Sequence, residues 1–380
     1  MTLDVARIRR AEFPWMDARA EVYMNAASTG PSPVRSIAAQ REFIERRAAP
    51  HTVDYEHQFG TLARCRELVA SLINASTSEI AMATNTGAGI NLAAWGLPLG
   101  RGDAVVVPDG EFPANMYPWL GASSARGFDV RVVPLRNGLL DEDALLSALD
   151  GRGVKALSVS WTSFASGDVA DLATLGAACH ARGIVFVVDG IQGLGPLTID
   201  MAKVPVDILA CGAQKWLLSP WGSGFTFVRR EMLDVVTPQP VSWMAVRGSD
   251  DFSRLVDYEL AWRDDARRFE QVTLAYQDFA GMAASLELLA ELGKENVAAH
   301  VATCTRALLS GAAERGVGCV TSIERHAGIA SVRPGDAEQT SARLSARGVI
   351  HSVREGTIRL SPYCYTTGAD IEATLDALAQ

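Results

Sequence analysis

The sequence predicts an α/β fold: a large unit with a mostly parallel sheet between helices, followed by a smaller α+β C-terminal unit. Three observations predict it. From about residue 80 to 230, short apolar runs alternate with helix-length amphipathic segments, the mark of repeated βαβ units. Within that span, 184–188 (IVFVV) has no polar residue, which suits a strand buried on both faces of a parallel sheet, and a second run follows at 206–211. Beyond Phe227 the alternation stops, and a Trp- and charge-rich stretch leads into mixed strand and helix signals.

The elements follow in chain order. Residues 7–15 form a short helical lead-in, and 21–33 (EVYMNAASTGPSP) a brief strand and a Ser/Gly/Pro turn. Segments 34–47 and 59–72 are amphipathic helices. Strand 80–83 feeds a Gly/Thr-rich turn at 84–89 and a helix from 90. That arrangement is a ready anion cradle, because the free N–H groups and the positive dipole end of a helix start point at the ligand. Strands are expected at 103–108, 130–134 and 156–160, with helices across 141–149 and 172–182. The tail gives helices at 277–292 and 296–315, then strand or helix signals at 328–333, 340–347, 356–360 and 370–378. No G-x-G-x-x-G opens a helix, which disfavours a nicotinamide dehydrogenase.

At 380 residues the chain can hold two sizeable cores. The expected division is 16–255 and 256–380, with residues 1–15 packing on the second unit. Apolar content of 48% and charged content of 21% are ordinary for a soluble enzyme. A net charge of −9 argues against nucleic acid or anionic membrane as a partner. The six cysteines show no C-x-x-C pair and no metal-ligand spacing, which fits reduced core thiols and no metal. MTLDVARIRRAEF has no apolar signal core and no run of ~18 apolar residues occurs, so a cytoplasmic protein is expected.

The candidate chemistry centres on Asp189 and Lys215. Asp189 follows strand 184–188 at its C-terminal end, the edge where open α/β sheets place ligands. Lys215 follows the next run after Gly212, Ala213 and Gln214, and is one of only four lysines among 35 basic residues. Its small, apolar surroundings would desolvate an amine and make it nucleophilic. A lysine forming a Schiff base with pyridoxal phosphate, beside a carboxylate holding the pyridine nitrogen protonated, suits this pair. A buried ion pair, or two unrelated surface charges, fits the same two residues.

The stretch VDGIQGLGPLTID…DILACGAQKWLLSPWGSGF resembles the core signature of the class V aminotransferase family of fold-type I pyridoxal phosphate enzymes, a group with cysteine desulfurases, selenocysteine lyases, kynureninases and isopenicillin N epimerases. The resemblance implies that Asp189 pairs with the ring nitrogen, Gln192 bonds the ring hydroxyl and Lys215 carries the Schiff base. The residue before the lysine is often histidine in that group and is Gln214 here. Thr86 and Gly87 match the phosphate loop, Phe112 the ring stacked on the cofactor, and Ser163 a position where many relatives carry Asn. Asn25 lies in the loop edging the substrate pocket, where a turn-forming Asn is equally at home. RRFE with Thr273 resembles the FE-x-GT block, whose threonine reaches a neighbouring subunit's phosphate, so the resemblance implies a homodimer with shared sites. TIRLSPYCYTT resembles the closing motif in which Arg359 binds the substrate α-carboxylate.

The site implies an enzyme acting at Cα or Cβ of an α-amino acid. Cysteine desulfurases carry sulfur on a cysteine shortly before the carboxylate-binding arginine, and 348–359 (GVIHSVREGTIR) has none. Cys364 follows that arginine and is expected to be structural. A β-eliminating lyase is the first expectation and an epimerase or aminotransferase the second. A non-catalytic binding protein on the same fold is the third.

Overall fold

The computed structural model describes residues 3–256 and 258–379. A seven-stranded sheet occupies the middle, in the order Ile80–Ala83, Gly224–Val228, Ile208–Gly212, Val185–Asp189, Val154–Ser160, Ala104–Pro108, Asp129–Val133. Gly224–Val228 runs antiparallel to both neighbours, and every other pairing is parallel. The expected mostly parallel α/β sheet is the one observed.

Side-chain alternation explains the strand sequences. Val105, Val107, Val187, Ile208 and Ala210 enter one apolar cluster, while Val106, Phe186, Val188, Leu209 and Cys211 enter another on the opposite face. Both faces are covered, so the strands need continuous apolar runs. The second strand begins at Ile208, two residues later than expected. The Asp207 carboxylate accepts the Phe186 N–H at 2.7 Å and faces His180 Nε2 at 2.9 Å, so its side chain closes the strand start.

A second assembly carries the C-terminal strands. A four-stranded antiparallel sheet runs Ser352–Arg354, Thr357–Leu360, Ala330–Arg333, Gly318–Cys319. Val332, Ile358 and Leu360 pack with Leu308, Leu309 and Leu375 of the helices Lys294–Glu314 and Gly368–Leu378. The alternate residues Ser331, Thr357 and Arg359 lie on the other face. Val22–Tyr23 pairs in parallel with Val349–Ile350, and Asn25 bridges Ser361. The N-terminal segment therefore crosses onto the C-terminal strands before it enters the site.

Several elements escaped the sequence reading, the short strands Gly318–Cys319 and Val349–Ile350 among them. The helix Pro113–Arg126 contains Pro118, which removes one backbone donor and ordinarily argues against a helix interior. Buried Trp119 and Ala122 outweigh that cost. Gly224–Val228 and Ser352–Arg354 are too short to show a period.

Candidate active site

The C-terminal ends of the parallel strands gather Pro108, Ser160, Asp189 and Gly212 along one edge. Ser160 and Asp189 are register partners, as are Asp189 and Ala210. The helix Thr86–Gly96 starts at the same edge with Asn85 as its cap, whose Oδ1 accepts the Ala88 N–H at 3.0 Å. Gly89 lets this helix seat tightly, since a Cβ there would lie 2.5 Å from Thr226 Oγ1 and 2.6 Å from Ala210 Cβ. The Thr86 hydroxyl accepts the Gly212 N–H at 2.9 Å and keeps its own proton to donate. The first-turn N–H groups, Gly87 among them, have no partner four residues back.

Asp189 is 2% exposed and accepts the Ile191 N–H at 3.0 Å. Burial pushes its carboxyl up to about 6, against the pull of that hydrogen bond and of Lys215. Burial also brings Lys215 down from 10.5 to about 8; Asp189 opposes the shift, and Arg359 and Arg354 add to it. Lys215 Nζ lies 5.6 Å from the centroid of the Phe112 ring, and Phe112 meets Phe164 edge-on at 5.2 Å.

The lysine turn is held from both sides. Gly30 donates to the Gln214 carbonyl at 2.9 Å, and a Cβ on Gly30 would fall 1.9 Å from the Lys215 carbonyl oxygen. On the other side Leu218 has φ 56°, a strained conformation for a bulky residue, and its carbonyl accepts the Ser285 hydroxyl at 2.9 Å. The Gln214 side chain folds back over Gly212, where its Oε1 would lie 2.5 Å from an added Cβ.

Gln192 is largely committed within the chain. Its Nε2 donates to the Ala27 carbonyl at 3.0 Å and its Oε1 accepts Trp216 Nε1 at 2.8 Å, which leaves one amide N–H. Ser163 Oγ accepts the N–H groups of Ala165 and Ser166, so it closes its own turn. Asn25 Oδ1 is buried without a partner among the described residues, an open acceptor facing the loop. Thr273 is exposed. No hydrogen bond among the described residues joins it to the Asp189–Lys215 group. Its segment is anchored by Glu270, which takes Arg66 in a bidentate pair at 2.8 and 2.9 Å and the Met82 N–H at 2.8 Å.

Arg359 is 2% exposed, and its Nε, Nη1 and Nη2 donate to Ser352 Oγ, the Phe164 carbonyl and Ser28 Oγ at 3.0, 2.9 and 2.7 Å. None of these is an anion, and burial lowers the guanidinium to about 10. A buried cation without a counter-charge is costly, and a bound carboxylate would offset that cost.

The sequence reading missed Glu111. Its Oε1 accepts the Ser160 N–H at 2.6 Å, and its other oxygen meets the Ser160 hydroxyl. Burial raises it to about 7, with Ser160 and Asn115 opposing and Asp189 adding. An acidic residue just past strand Ala104–Pro108 was the available signal.

Pyridoxal phosphate fits this donor set. A buried carboxylate, a half-buried amine of lowered pKa, a helix start with a threonine hydroxyl and an aromatic ring meet at one strand edge. Among the described residues no group of His, Cys, Asp or Glu could hold a metal, and no helix is long and apolar enough to cross a membrane.

Comparison with known proteins agrees. The family described as Aminotransferase class-V matches residues 22–374. A probable cysteine desulfurase of Methanothermobacter thermautotrophicus is 32% identical over 288 residues, covering 74% of this chain and 70% of its own. A cysteine desulfurase of Klebsiella pneumoniae is 29% identical, covering 80% of this chain and 77% of its own. Among solved structures, a mutant of C-DES with glycine covalently linked to its pyridoxal phosphate superposes with a TM-score of 0.90 at 22% identity, covering 98% of this chain and 99% of its own. The cystine C–S lyase C-DES with its product cysteine persulfide gives 0.89 at 23% identity, covering 97% and 99%.

Proposed function

This chain belongs to the class V aminotransferase family of pyridoxal phosphate enzymes, and we propose that it is a lyase that eliminates a β-substituent from an α-amino acid without passing sulfur to a cysteine of its own. The observation that carries the reading is Arg359, a buried guanidinium without a counter-anion, whose charge reaches Lys215. It fits a substrate carboxylate held within reach of the amine.

When bound, pyridoxal phosphate supplies an electron sink that labilises the bonds at Cα. Thr86 and Gly87 would hold its phosphate through the hydroxyl and the first-turn N–H groups. Asp189, ionised against the ring nitrogen, would keep that nitrogen protonated. Phe112 would cover the ring, and the remaining N–H of Gln192 suits its hydroxyl. Gln214 and Ser163 would contact the cofactor only by side-chain rearrangement, since each is folded onto its own turn. Lys215 would take and return the proton at Cα. Arg359 would fix the carboxylate and Asn25 would accept from the substrate. Thr273 of the partner subunit would complete the phosphate site in a homodimer.

The absence of a cysteine from the hairpin before Arg359 supports release of the leaving group over persulfide formation. Cys364 is fully buried between Tyr363 and Tyr365, and burial pushes its thiol well above the usual range, so no thiolate forms there.

The test is the visible spectrum of the purified protein beside Lys215→Ala, before and after borohydride. A band that borohydride bleaches and the variant lacks is expected, and β-substituted amino acids should then yield a keto acid, ammonia and the released leaving group. An inverted amino acid as product would mean an epimerase, and an amino-group transfer an aminotransferase. Protein that takes up no cofactor would leave only a binding role.

A further inference from the structure

We propose that Arg354 is a second anion contact and that the preferred substrate is an α-amino acid whose side chain carries its own negative charge. The inference rests on the amino-acid reading above and names the substrate class.

Arg354 ends the strand Ser352–Arg354, and Ser352, two residues earlier on the same face, accepts Arg359 Nε at 3.0 Å. Successive same-face residues stand about 6.6 Å apart along a strand, so the two guanidiniums belong to one surface of one hairpin. The turn that follows is two residues long, with Glu355 at φ 45° and Gly356 at φ 73°, the twist that suits a tight hairpin. Thr357 Oγ1 also donates to the Arg354 carbonyl at 2.7 Å. The backbone under Arg354 is thus firmly set.

The side chain above it is not satisfied. Arg354 is half-buried, and among the described residues its guanidinium makes one hydrogen bond, to the adjacent Val353 carbonyl at 2.7 Å. It has no carboxylate partner among the described residues. Arg9, Arg66 and Arg263, buried or nearly so, pair with Asp370, Glu270 and Asp250. Half-buried Arg229 and Arg343, which have no carboxylate among the described residues, each spend their donors on two or more backbone carbonyls. Its charge reaches the site, since it lowers both Lys215 and Arg359.

Arg359 and Arg354 therefore form a two-cation surface on one hairpin face, and the amine feels both charges. A mono-anionic amino acid neutralises only one of them. A carboxylate, sulfinate or sulfonate on the side chain would meet the planar fork of the other.

The experiment compares parent, R354Q and R354K in a weakly coordinating buffer at constant ionic strength. Thermal shift would be measured with the dicarboxylates malonate, succinate, glutarate and adipate, and with the matching monocarboxylates. At least one dicarboxylate should bind the parent about 10- to 100-fold tighter than its monocarboxylate, the worth of one charged bidentate contact. R354Q should lose that ratio and R354K keep part of it. A parent with no dicarboxylate preference, or an R354Q that retains it, overturns the proposal. The second arm follows the cofactor band with cysteine sulfinate against S-methylcysteine, where the same ratio should appear and fall in R354Q. If no amino acid moves the band while dicarboxylates are still preferred, the lyase reading fails and the anion pair stands.

Discussion

Lys215 shows what desolvation does to a single residue. An amine of pKa about 8 is about 300-fold richer in its reactive neutral form at pH 7 than one at 10.5. The same shift is a stability penalty in the cofactor-free protein. The folded state holds the proton less tightly than the unfolded state, so the penalty is full below pH 8. It fades between pH 8 and 10.5 and is gone above. Lys215→Met, which keeps the stem and removes the charge, should therefore stabilise the cofactor-free protein by about 1–3 kcal/mol at pH 7. Chemical denaturation at pH 7 and pH 10.5 would check it. A gain of equal size at both pH values would mean packing, and not charge, is responsible.

At the scale of elements, the helix Thr86–Gly96 is useful only if its start lies over the strand edge. Gly89 sets that distance, because its missing Cβ is the space that Ala210 and Thr226 fill. Gly89→Ala would force helix and sheet apart and should cost about 1–3 kcal/mol, despite the better helix propensity of alanine. Cofactor affinity should fall with it. Pairing it with Thr226→Ala removes one of the two clashes and should recover part of both losses. Full stability in the single variant would show that the helix is free to shift.

The whole molecule closes the site from three directions. The parallel sheet brings Asp189 and Lys215, the C-terminal sheet Arg359 and Arg354, and the N-terminal segment Ser28 and Gly30. Among the described residues Trp221, Val256, Tyr258 and Leu260 are 72%, 78%, 91% and 71% exposed. Apolar exposure on that scale fits coverage by a second copy. Sedimentation should give a two-chain particle, and dilution that separates the chains should release the cofactor. Thr273→Val should raise the cofactor dissociation constant about 10-fold, the loss of one hydrogen bond to a charged group. A single-chain particle with unchanged cofactor affinity would contradict the shared site.

Much of this was legible in the sequence. The strand at Val185–Asp189, a strand, turn and helix after residue 80, and an acid and a lysine at neighbouring strand ends all follow from runs of a few residues, although the helix begins at Thr86, capped by Asn85, and not at 90 as expected. Strand burial, helix capping and turn chemistry act over that same range, so they leave local marks. What waited for the tertiary structure depends on distant neighbours. Gln192 is committed to Ala27 and Trp216, 165 and 24 residues away. Glu111 meets Ser160 across 49 residues, and Arg359 meets Ser28 across 331. Whether a buried charge has a counter-charge is a sum over everything packed around it, and no window of sequence contains that sum.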